Sequence, residues 1–418
     1  MRIKRFFLIL VAGMICISFA QGAGKQTLTV WMISWPQPVL DAIDAWAKQN
    51  PDIDLKLSLF GSEDLKTQTR LAVDAQKAPD IMMTNAGTTF WEYVDKGAAM
   101  DLTPGLTQHK WDAGVNKSYF DVFRRSGKLY AVPVAGVTTW QTLYVNAKNF
   151  TDNGIAYPKT VDELIAASNA LKKKNIQTIA FGDKDGWPAI LLLGDFFLQE
   201  GSYDLVGKIN AGTLKWTDCV PMKNSLAAIV KLAKNDVFMS GYLSSDHNLA
   251  IQSWAAGKTA ALYNGSWWYQ VTQTTSLGFP IDVIPLPLVS AGDKLKGVQL
   301  SADMCLFVTP TTKSLNAALR FLDFQTSKAY QKIYNEAGGS FPIYPGVIQD
   351  MSVDPVFKKD VIQNQMKLPA TGIFFDHAFP IPVIEVMKTA IQSAMQGNIT
   401  VDEALKQIQA KQDEVLNK

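Results

Sequence analysis

The apolar residues of the chain recur at two spacings, which together predict a mostly parallel sheet with helices packed on it. Residues 27–33 (TLTVWMI) form a short apolar run typical of a strand. Residues 39–50 then place Val39, Ile43 and Trp46 on one face of a helix that ends at an Asn-Pro pair. The same alternation predicts a strand, a helix and a strand at residues 53–60, 65–76 and 80–84.

Two capping boxes predict helix starts later in the chain. Thr160 precedes Glu163 by three residues, and Thr400 precedes Glu403 in the same way. In such a pair the threonine side chain accepts from the helix backbone and the glutamate reaches back. We therefore expect one helix to begin near residue 160 and the last helix to begin near residue 400.

The first twenty residues have the features of a signal peptide, so we leave them out of the fold. Basic residues precede an apolar run over residues 6–19, and a small residue, Ala20, ends the segment. The run of roughly 14 residues is shorter than the ~20 needed to span a bilayer. Cys16 follows Ile15 rather than the small residue of a lipoprotein signal. We expect an exported, periplasmic protein with a cleaved signal peptide and no lipid anchor.

Composition and charge narrow the class further. The chain has 418 residues, 47% of them hydrophobic and 19% charged, which suits two α/β lobes better than one core. The formal net charge of +2 is too small for a nucleic-acid or anionic-membrane partner. We expect a monomer that binds no nucleic acid.

Signatures of catalysis and of metal binding are absent from the sequence. It contains no GxSxG, HExxH, P-loop or GxGxxG motif, and His109, His247 and His377 stand alone. Cys219 and Cys305 could pair in an oxidising compartment, but two cysteines are too few for a zinc site. We therefore expect a protein that is not an enzyme and uses no cofactor or metal.

Five segments of the chain carry recognisable short motifs. They are the opening TVWMISWPQPVLDAIDAWAKQNPDIDLKL, then LKTQTRLAVDAQKAPDIMMTNAGTTFWEYVDKGAAMDLT, GKLYAVPVAGVTTWQTLYVNAKNFTDNGIAYPKTVDEL, WAAGKTAALYNGSWWYQV, and finally GVQLSADMCLFV through SLNAALRFLDFQTSKAYQKIYNEAGGSFPIYPGV. In this order the segments resemble the family 1 extracellular solute-binding proteins of ABC importers, whose best-known members bind maltose and other sugars.

The resemblance implies an α/β, two-lobed periplasmic-binding-protein fold of type II, with discontinuous lobes joined by hinge crossings. The implied lobes are an N-terminal lobe of residues 24–136 and 288–335 and a C-terminal lobe of residues 137–287 and 336–418. Crossings are expected near residues 134–139, 284–290 and the 330s. The segment IPLPLVS is a candidate hinge strand, because its prolines prevent continuous sheet pairing. Ligand would lie in the crevice between the lobes, beyond the carboxyl ends of strands.

A sugar offers apolar faces to aromatic rings and hydroxyls to polar side chains. We therefore chose aromatic and polar residues that stand where strands end or where the chain crosses between lobes. In sugar-binding relatives the tryptophan of the Asn-Gly-x-Trp motif stacks on the sugar, which makes Trp267 the strongest candidate. Asp376 is a further, weaker candidate. The candidate ligand-binding residues are Trp35, Asn85, Thr88, Thr138, Trp140, Trp187, Asn264, Gly265, Trp267, Ser301 and Asp303.

The resulting hypothesis is a binding protein that captures a carbohydrate between its lobes and delivers it to the membrane permease of an ABC importer. Two alternatives stay open from the sequence. One is an exported glycan-active enzyme that uses two carboxylates. The other is a binding protein for a non-sugar solute such as a polyamine, a phosphodiester or an iron chelate, for which an anion site would need Arg or Lys at the strand ends.

Overall fold

The computed structural model describes residues 25–115, 117–135, 138–139, 142–269, 275–294, 298–301, 304–338, 340, 342–344, 346–353 and 371–417. The predicted signal peptide, with Cys16, lies outside the described residues. So do two candidate ligand contacts, Trp140 and Asp303. No helix in the described part of the chain is both long enough and apolar enough to cross a membrane.

Strands and helices alternate along the chain. The strands are β1 (Gln26–Ile33), β2 (Ile53–Phe60), β3 (Ile81–Asn85), β4 (Arg124–Arg125), β5 (Lys128–Leu129), β6 (Val132–Pro133), β7 (Thr138–Thr139), β8 (Thr142–Asn146), β9 (Gln177–Ala180), β10 (Thr259–Tyr263), β11 (Ile281–Pro285), β12 (Val298–Ser301), β13 (Met304–Val308) and β14 (Thr371–Gly372). The helices are α1 (Gln37–Gln49), α2 (Ser62–Asp74), α3 (Thr88–Asp95), α4 (Thr103–His109), α5 (Ser118–Asp121), α6 (Ala147–Thr151), α7 (Val161–Lys172), α8 (Trp187–Glu200), α9 (Tyr203–Asn210), α10 (Val220–Lys234), α11 (His247–Ala255), α12 (Leu315–Gln325), α13 (Lys328–Gly338), α14 (Ile381–Met395) and α15 (Val401–Leu416).

The first core surrounds a sheet with the strand order β2-β1-β3-β13-β6. Strand β1 pairs in parallel with β2 and β3, whereas β13 pairs antiparallel with β3 and β6. Helix α1 packs Val39, Ile43 and Trp46 inward, as its apolar spacing predicts. Buried residues of this core come from two stretches, one before residue 135 and one after residue 304. The second stretch includes Ile343 and Tyr344.

The second core surrounds a sheet with the strand order β11-β8-β10-β9. Nearly every side chain of α8 is buried, so this helix runs through the middle of the core. The capping prediction is confirmed at α15, where Thr400 and Glu403 form the reciprocal capping box. At α7 the Thr160 side chain accepts from the Glu163 N–H, while the Glu163 carboxylate accepts from the Lys159 N–H.

A third, small sheet joins the chain where it passes between the two cores. Strand β12 lies in its middle, antiparallel to β7 and parallel to β14. In chain order β7 stands between the first and second cores, and β12 stands on the return path. Two crossings thus run side by side, with the candidates Thr138 and Ser301 paired to each other.

The first part of the candidate hinge segment IPLPLVS belongs to the second core. Ile284 and Pro285 still pair with β8, and Leu286 is buried in the second core. Leu288 bridges to Thr160 on the same side. The prolines do not break the sheet here because β11 is an edge strand, where a missing N–H donor is tolerated.

The two cysteines do not form the disulfide that the sequence left open. Both are thiols, and neither takes part in a disulfide. Cys219 is buried in the second core and Cys305 in the first. Each behaves as a small apolar side chain within its own core.

Candidate functional site

A cavity of about 320 Å³ lies between the two cores. One wall comes from the first core, at the carboxyl ends of β1, β2 and β3 and along α13. The opposite wall comes from the N-termini of α8 and α11, the turn after β10 and the segment before α14. The carboxyl ends of parallel strands meet at one edge of a sheet, so the residues that follow β1, β2 and β3 supply much of the first wall.

Aromatic rings cover both walls. Trp35 follows β1, and its ring lies 4.6 Å from that of Tyr334 in an edge-on contact. Across the cavity, the Trp267 ring lies 6.2 Å from that of Trp187 and 6.4 Å from that of Phe374. All five residues line the cavity. Flat rings on two facing walls can hold the apolar faces of a ring-shaped ligand.

The turn after β10 fixes the orientation of Trp267. Gly265 has no side chain, and a Cβ atom added there would overlap the Trp267 ring. Trp268, the next residue, packs in a separate apolar cluster, with its ring centroid 5.2 Å from that of Trp254. Asn264 is only 2% exposed and lies behind the wall rather than on it. Asn264 and Gly265 thus shape the turn that presents the ring.

Three cavity residues carry buried polar atoms without a hydrogen-bond partner among the described residues. These atoms are Oδ1 of Asp376, Nε1 of Trp35 and Nδ1 of His247. Leaving a buried polar group unpaired costs about 1–3 kcal/mol, and more for a charged group. The cavity therefore offers a carboxylate acceptor and two further polar atoms to a ligand that can hydrogen-bond with them.

Asp376 and His377 form a buried polar pair beside the cavity. His377 Nε2 lies 3.4 Å from Asp376 Oδ2. Burial lowers the pKa of His377 to about 4, although the Asp376 carboxylate opposes that shift. Burial likewise lowers the pKa of His247. Both imidazoles are therefore neutral at pH 7 and present no positive charge to a ligand.

Neutral, buried His377 predicts a loss of stability in mild acid. The unfolded chain takes up a proton near the ordinary histidine pKa of 6.5, whereas the folded chain does so only near pH 4. The contribution of neutral His377 to the free energy of unfolding is thus fully present above about pH 6.5 and decreases as pH falls toward 4. At pH 5 the free energy of unfolding is lower by about 2 kcal/mol. Melting temperatures of wild type and His377→Gln at pH 7.5 and 5.0 test this expectation. The melting temperature of the variant should fall less than that of wild type between pH 7.5 and 5.0. Equal decreases in the two proteins would contradict this expectation.

Thr88, a candidate ligand contact, does not line this cavity. It is the first residue of α3, and its hydroxyl donates to the carbonyl oxygens of His377 at 3.1 Å and Phe379 at 2.5 Å. Gly87 before it has a φ of +97°, and an added Cβ would overlap the His377 carbonyl oxygen. Residues 87–88 therefore hold the two walls together outside the cavity.

Gln299 supports the second wall and was not found from the sequence. Its side chain is fully buried on β12. Its Nε2 donates to the Leu191 carbonyl at 2.7 Å and to Asp195 Oδ1 at 2.6 Å. Its Oε1 accepts from the Phe375 N–H at 2.8 Å. A residue of a crossing strand thus ties α8 to the backbone next to Asp376, an arrangement that no local motif signals.

The cavity brings together some of the candidate residues and leaves others aside. The candidates that line it are Trp35, Asn85, Trp187, Trp267 and Asp376. Trp187 is the first residue of α8. Residues that sequence reasoning missed include His247, Tyr334 and Phe374. Phe374 lies in an apolar stretch and Tyr334 on the buried face of an amphipathic helix, so both positions are equally typical of a core residue.

Comparisons with known proteins support this picture. The model of a family described as bacterial extracellular solute-binding protein matches residues 41–364. An uncharacterized ABC transporter extracellular-binding protein of Pyrococcus horikoshii is 27% identical over 64% of this chain, and the match spans 63% of that protein, less than two thirds of its length. The multiple sugar-binding protein of Streptococcus mutans is 23% identical over 74% of this chain and 72% of its own length.

A solved structure confirms the fold class. A chitin oligosaccharide binding protein superposes with a TM-score of 0.84 at 20% identity, covering 94% of this chain and all of that one. The fold is therefore the expected α/β fold of two discontinuous lobes. These relatives are binding proteins. The family model matches more than half of the residues of this chain, so the chain belongs to the bacterial extracellular solute-binding proteins.

Proposed function

We propose that this protein captures a sugar or oligosaccharide in the interlobe cavity and delivers it to the permease of an ABC importer. The observation that carries the proposal is the cavity itself, which Trp35, Trp187 and Trp267 line together with Asp376, whose Oδ1 has no hydrogen-bond partner among the described residues. Aromatic faces and a buried carboxylate acceptor match the two surfaces of a sugar. The names of relatives that bind sugars support the same assignment.

Capture would work through closure of the two lobes. In this proposal the first lobe holds residues 24–136 and the return stretch from β13 through Tyr344, and the second holds the rest. The extension beyond residue 335 rests on Ile343 and Tyr344, which are buried in the first core. Ligand contacts from both walls would favour the closed state by differential affinity. Contacts such as that of Thr88 with the His377 carbonyl add to closure.

The cavity lining disfavours both alternative functions. Among the described residues that line it, Asp376 is the single carboxylate, whereas a glycosidase needs two. Lys66 is the single lysine or arginine among them, and Tyr334 the single tyrosine. An anion site would place more cations there, and an iron site would typically pair tyrosines. We propose a non-enzymatic binding protein without a cofactor.

The proposal also includes the cellular setting. We propose that the chain is exported, loses residues 1–20, carries no lipid anchor at Cys16 and acts as a periplasmic monomer. The near-neutral net charge of +2 suits neither nucleic acid nor an anionic membrane surface as a partner. Its macromolecular partner would be the transporter permease.

A thermal-shift screen of the mature protein against mono- and oligosaccharides tests this function. A ligand that binds only the folded state raises the melting temperature in proportion to the logarithm of its concentration over Kd. We expect at least one saccharide to raise it, with the saccharide recovered unchanged after incubation. Turnover of the hit would favour the enzyme alternative, and a shift given only by a polyamine, a phosphodiester or an iron chelate would favour the other.

Replacing Trp267 with alanine should weaken binding of the saccharide found in that screen by more than ~1 kcal/mol, since a stacked aromatic face is lost. Isothermal titration gives the affinity. Trp91→Ala is the matched control, because Trp91 is a partly buried tryptophan that packs on the first core beside Arg125 and does not line the cavity. An unchanged affinity in Trp267→Ala would remove this ring from the site.

A further inference from the structure

The amino end of α3, in the first lobe, touches the second lobe through the side chain of Thr88. The Thr88 hydroxyl donates to the carbonyl oxygens of His377 at 3.1 Å and Phe379 at 2.5 Å. Ala86 and Phe90, on either side of Thr88 in the chain, are buried in the first core, whereas Phe379 is buried in the second. Both hydrogen bonds therefore join one lobe to the other.

The two backbones lie close together at this contact. Gly87 has a φ of +97°, and a Cβ atom added there would lie 2.4 Å from the His377 carbonyl oxygen. A residue with a side chain would be strained by this φ and would overlap the carbonyl group. Gly87 thus lets the first lobe come near enough for the Thr88 hydroxyl to reach the second.

Charges on α2 and α14 also interact between the lobes. Glu63 belongs to α2 in the first lobe, and Lys388 belongs to α14 in the second. Desolvation raises the pKa of Glu63, whereas Lys66 and, more weakly, Lys388 lower it, and the net shift is downward. Lys388 therefore attracts the Glu63 carboxylate from the opposite lobe, which favours the same approach of the lobes as the Thr88 contact.

The turn that accepts from Thr88 is also connected to the crossing strand and to the cavity. The Phe375 N–H donates to Gln299 Oε1 of β12 at 2.8 Å. Asp376, the next residue, lines the cavity. Residues 375–379 therefore contact the crossing strand, the cavity and the first lobe within one short turn.

We propose that Thr88 and residues 375–379 form a latch that holds the lobes closed without touching the ligand. Its hydrogen bonds join protein atoms alone, so the latch can form in the ligand-free protein and keep a fraction of the molecules closed. In the complex, a ligand that holds Asp376 in place also fixes the carbonyl oxygens to which Thr88 donates. Thr88 is thus a positioning residue, which sets the population of the closed state.

The test measures that population from the distance between two nitroxide spin labels, one on each lobe. Gln68→Cys on α2 and Thr389→Cys on α14 place the labels at exposed positions. Cys219 and Cys305 are the cysteines of the protein without its first twenty residues, and they are 2% and 0% exposed, so they should not take up label. Pulsed dipolar spectroscopy of the ligand-free protein then gives the ratio of closed to open molecules.

Without a further substitution, the labelled protein should show a closed population beside the open one. Thr88→Val keeps the shape of the side chain but removes its hydroxyl, so it should lower the ratio of closed to open molecules by about three- to tenfold. Thr88→Ser keeps the hydroxyl and should stay within about twofold of the unsubstituted ratio. Thr89→Val is the matched control, because Thr89 is the next residue, is also half-buried and forms no hydrogen bond to the second lobe among the described residues.

The absence of any closed population in the ligand-free protein would overturn the latch. An unchanged ratio in Thr88→Val, or an equal decrease in Thr89→Val, would overturn it as well. A lower melting temperature of Thr88→Val with an unchanged ratio would show that Thr88 serves stability alone. None of these outcomes depends on which solute binds, so the latch and the proposed sugar binding can fail independently.

Discussion

Asp376→Ala is expected to weaken saccharide binding by about 10- to 100-fold without destabilising the ligand-free protein. The carboxylate is only 7% exposed, and its Oδ1 has no hydrogen-bond partner among the described residues. A hydrogen bond to a charged group contributes about 1.5–3 kcal/mol, which sets the expected loss of affinity. An unpaired buried oxygen costs free energy in the ligand-free state, so its removal should leave stability unchanged or raise it.

Titration calorimetry and ligand-free melting curves measure the two effects separately. Asp376→Asn serves as the comparator, because the amide keeps one acceptor oxygen and loses the charge, so its affinity should fall between those of wild type and the alanine variant. An affinity of Asp376→Ala within about twofold of wild type would show that the carboxylate does not contact the ligand. A large loss of melting temperature without ligand would show that its role is structural.

Gln299→Leu is expected to lower both the free energy of unfolding and ligand affinity. The substitution removes three hydrogen bonds of 2.6–2.8 Å and leaves the Phe375 N–H and one oxygen of buried Asp195 without this partner. Loss of a buried network with a charged member should cost about 2–5 kcal/mol. Affinity should fall as well, by about tenfold, because the backbone that carries Asp376 loses its anchor.

Urea unfolding followed by circular dichroism gives the stability, and calorimetry of the folded variant gives the affinity. Gln299→Glu is an informative second variant. It keeps an acceptor for the Phe375 N–H but places a carboxylate against Asp195, so its stability should fall as pH rises and the pair ionises. A Gln299→Leu protein within about 1 kcal/mol of wild type would show that the network is not important for the second wall.

Elements with a strong local signal were predictable from the sequence. The inward face of α1 follows from the spacing of Val39, Ile43 and Trp46, and the start of α15 follows from Thr400 and Glu403. Local spacing alone determines these features. The path between the cores was less predictable, since Pro285 is compatible both with a hinge and with the edge strand that it occupies.

The cavity was only partly predictable, for a physical reason. Trp35 and Trp267 stand directly after strands, so their position in the chain already indicates the edge of a sheet. Tyr334 reaches the cavity from the face of a helix, and Gln299 acts through contacts with residues about 75 to 110 positions away. Pairings of that range depend on how the two sheets are placed, which no local pattern encodes.

The first sheet has its β13 strand between β3 and β6, although β13 is separated from them in sequence by the first stretch of the second lobe. The chain must therefore pass through more than 150 intervening residues before that sheet can close. Closing so long a loop is entropically costly and slows folding. An incomplete chain that ends before residue 304 would leave one edge of β3 unpaired and would lack the first-core residues from Cys305 to Tyr344. A polypeptide that acquires its final form only after its last third has been made stays extended longer, which is the state in which it can be threaded through a membrane pore.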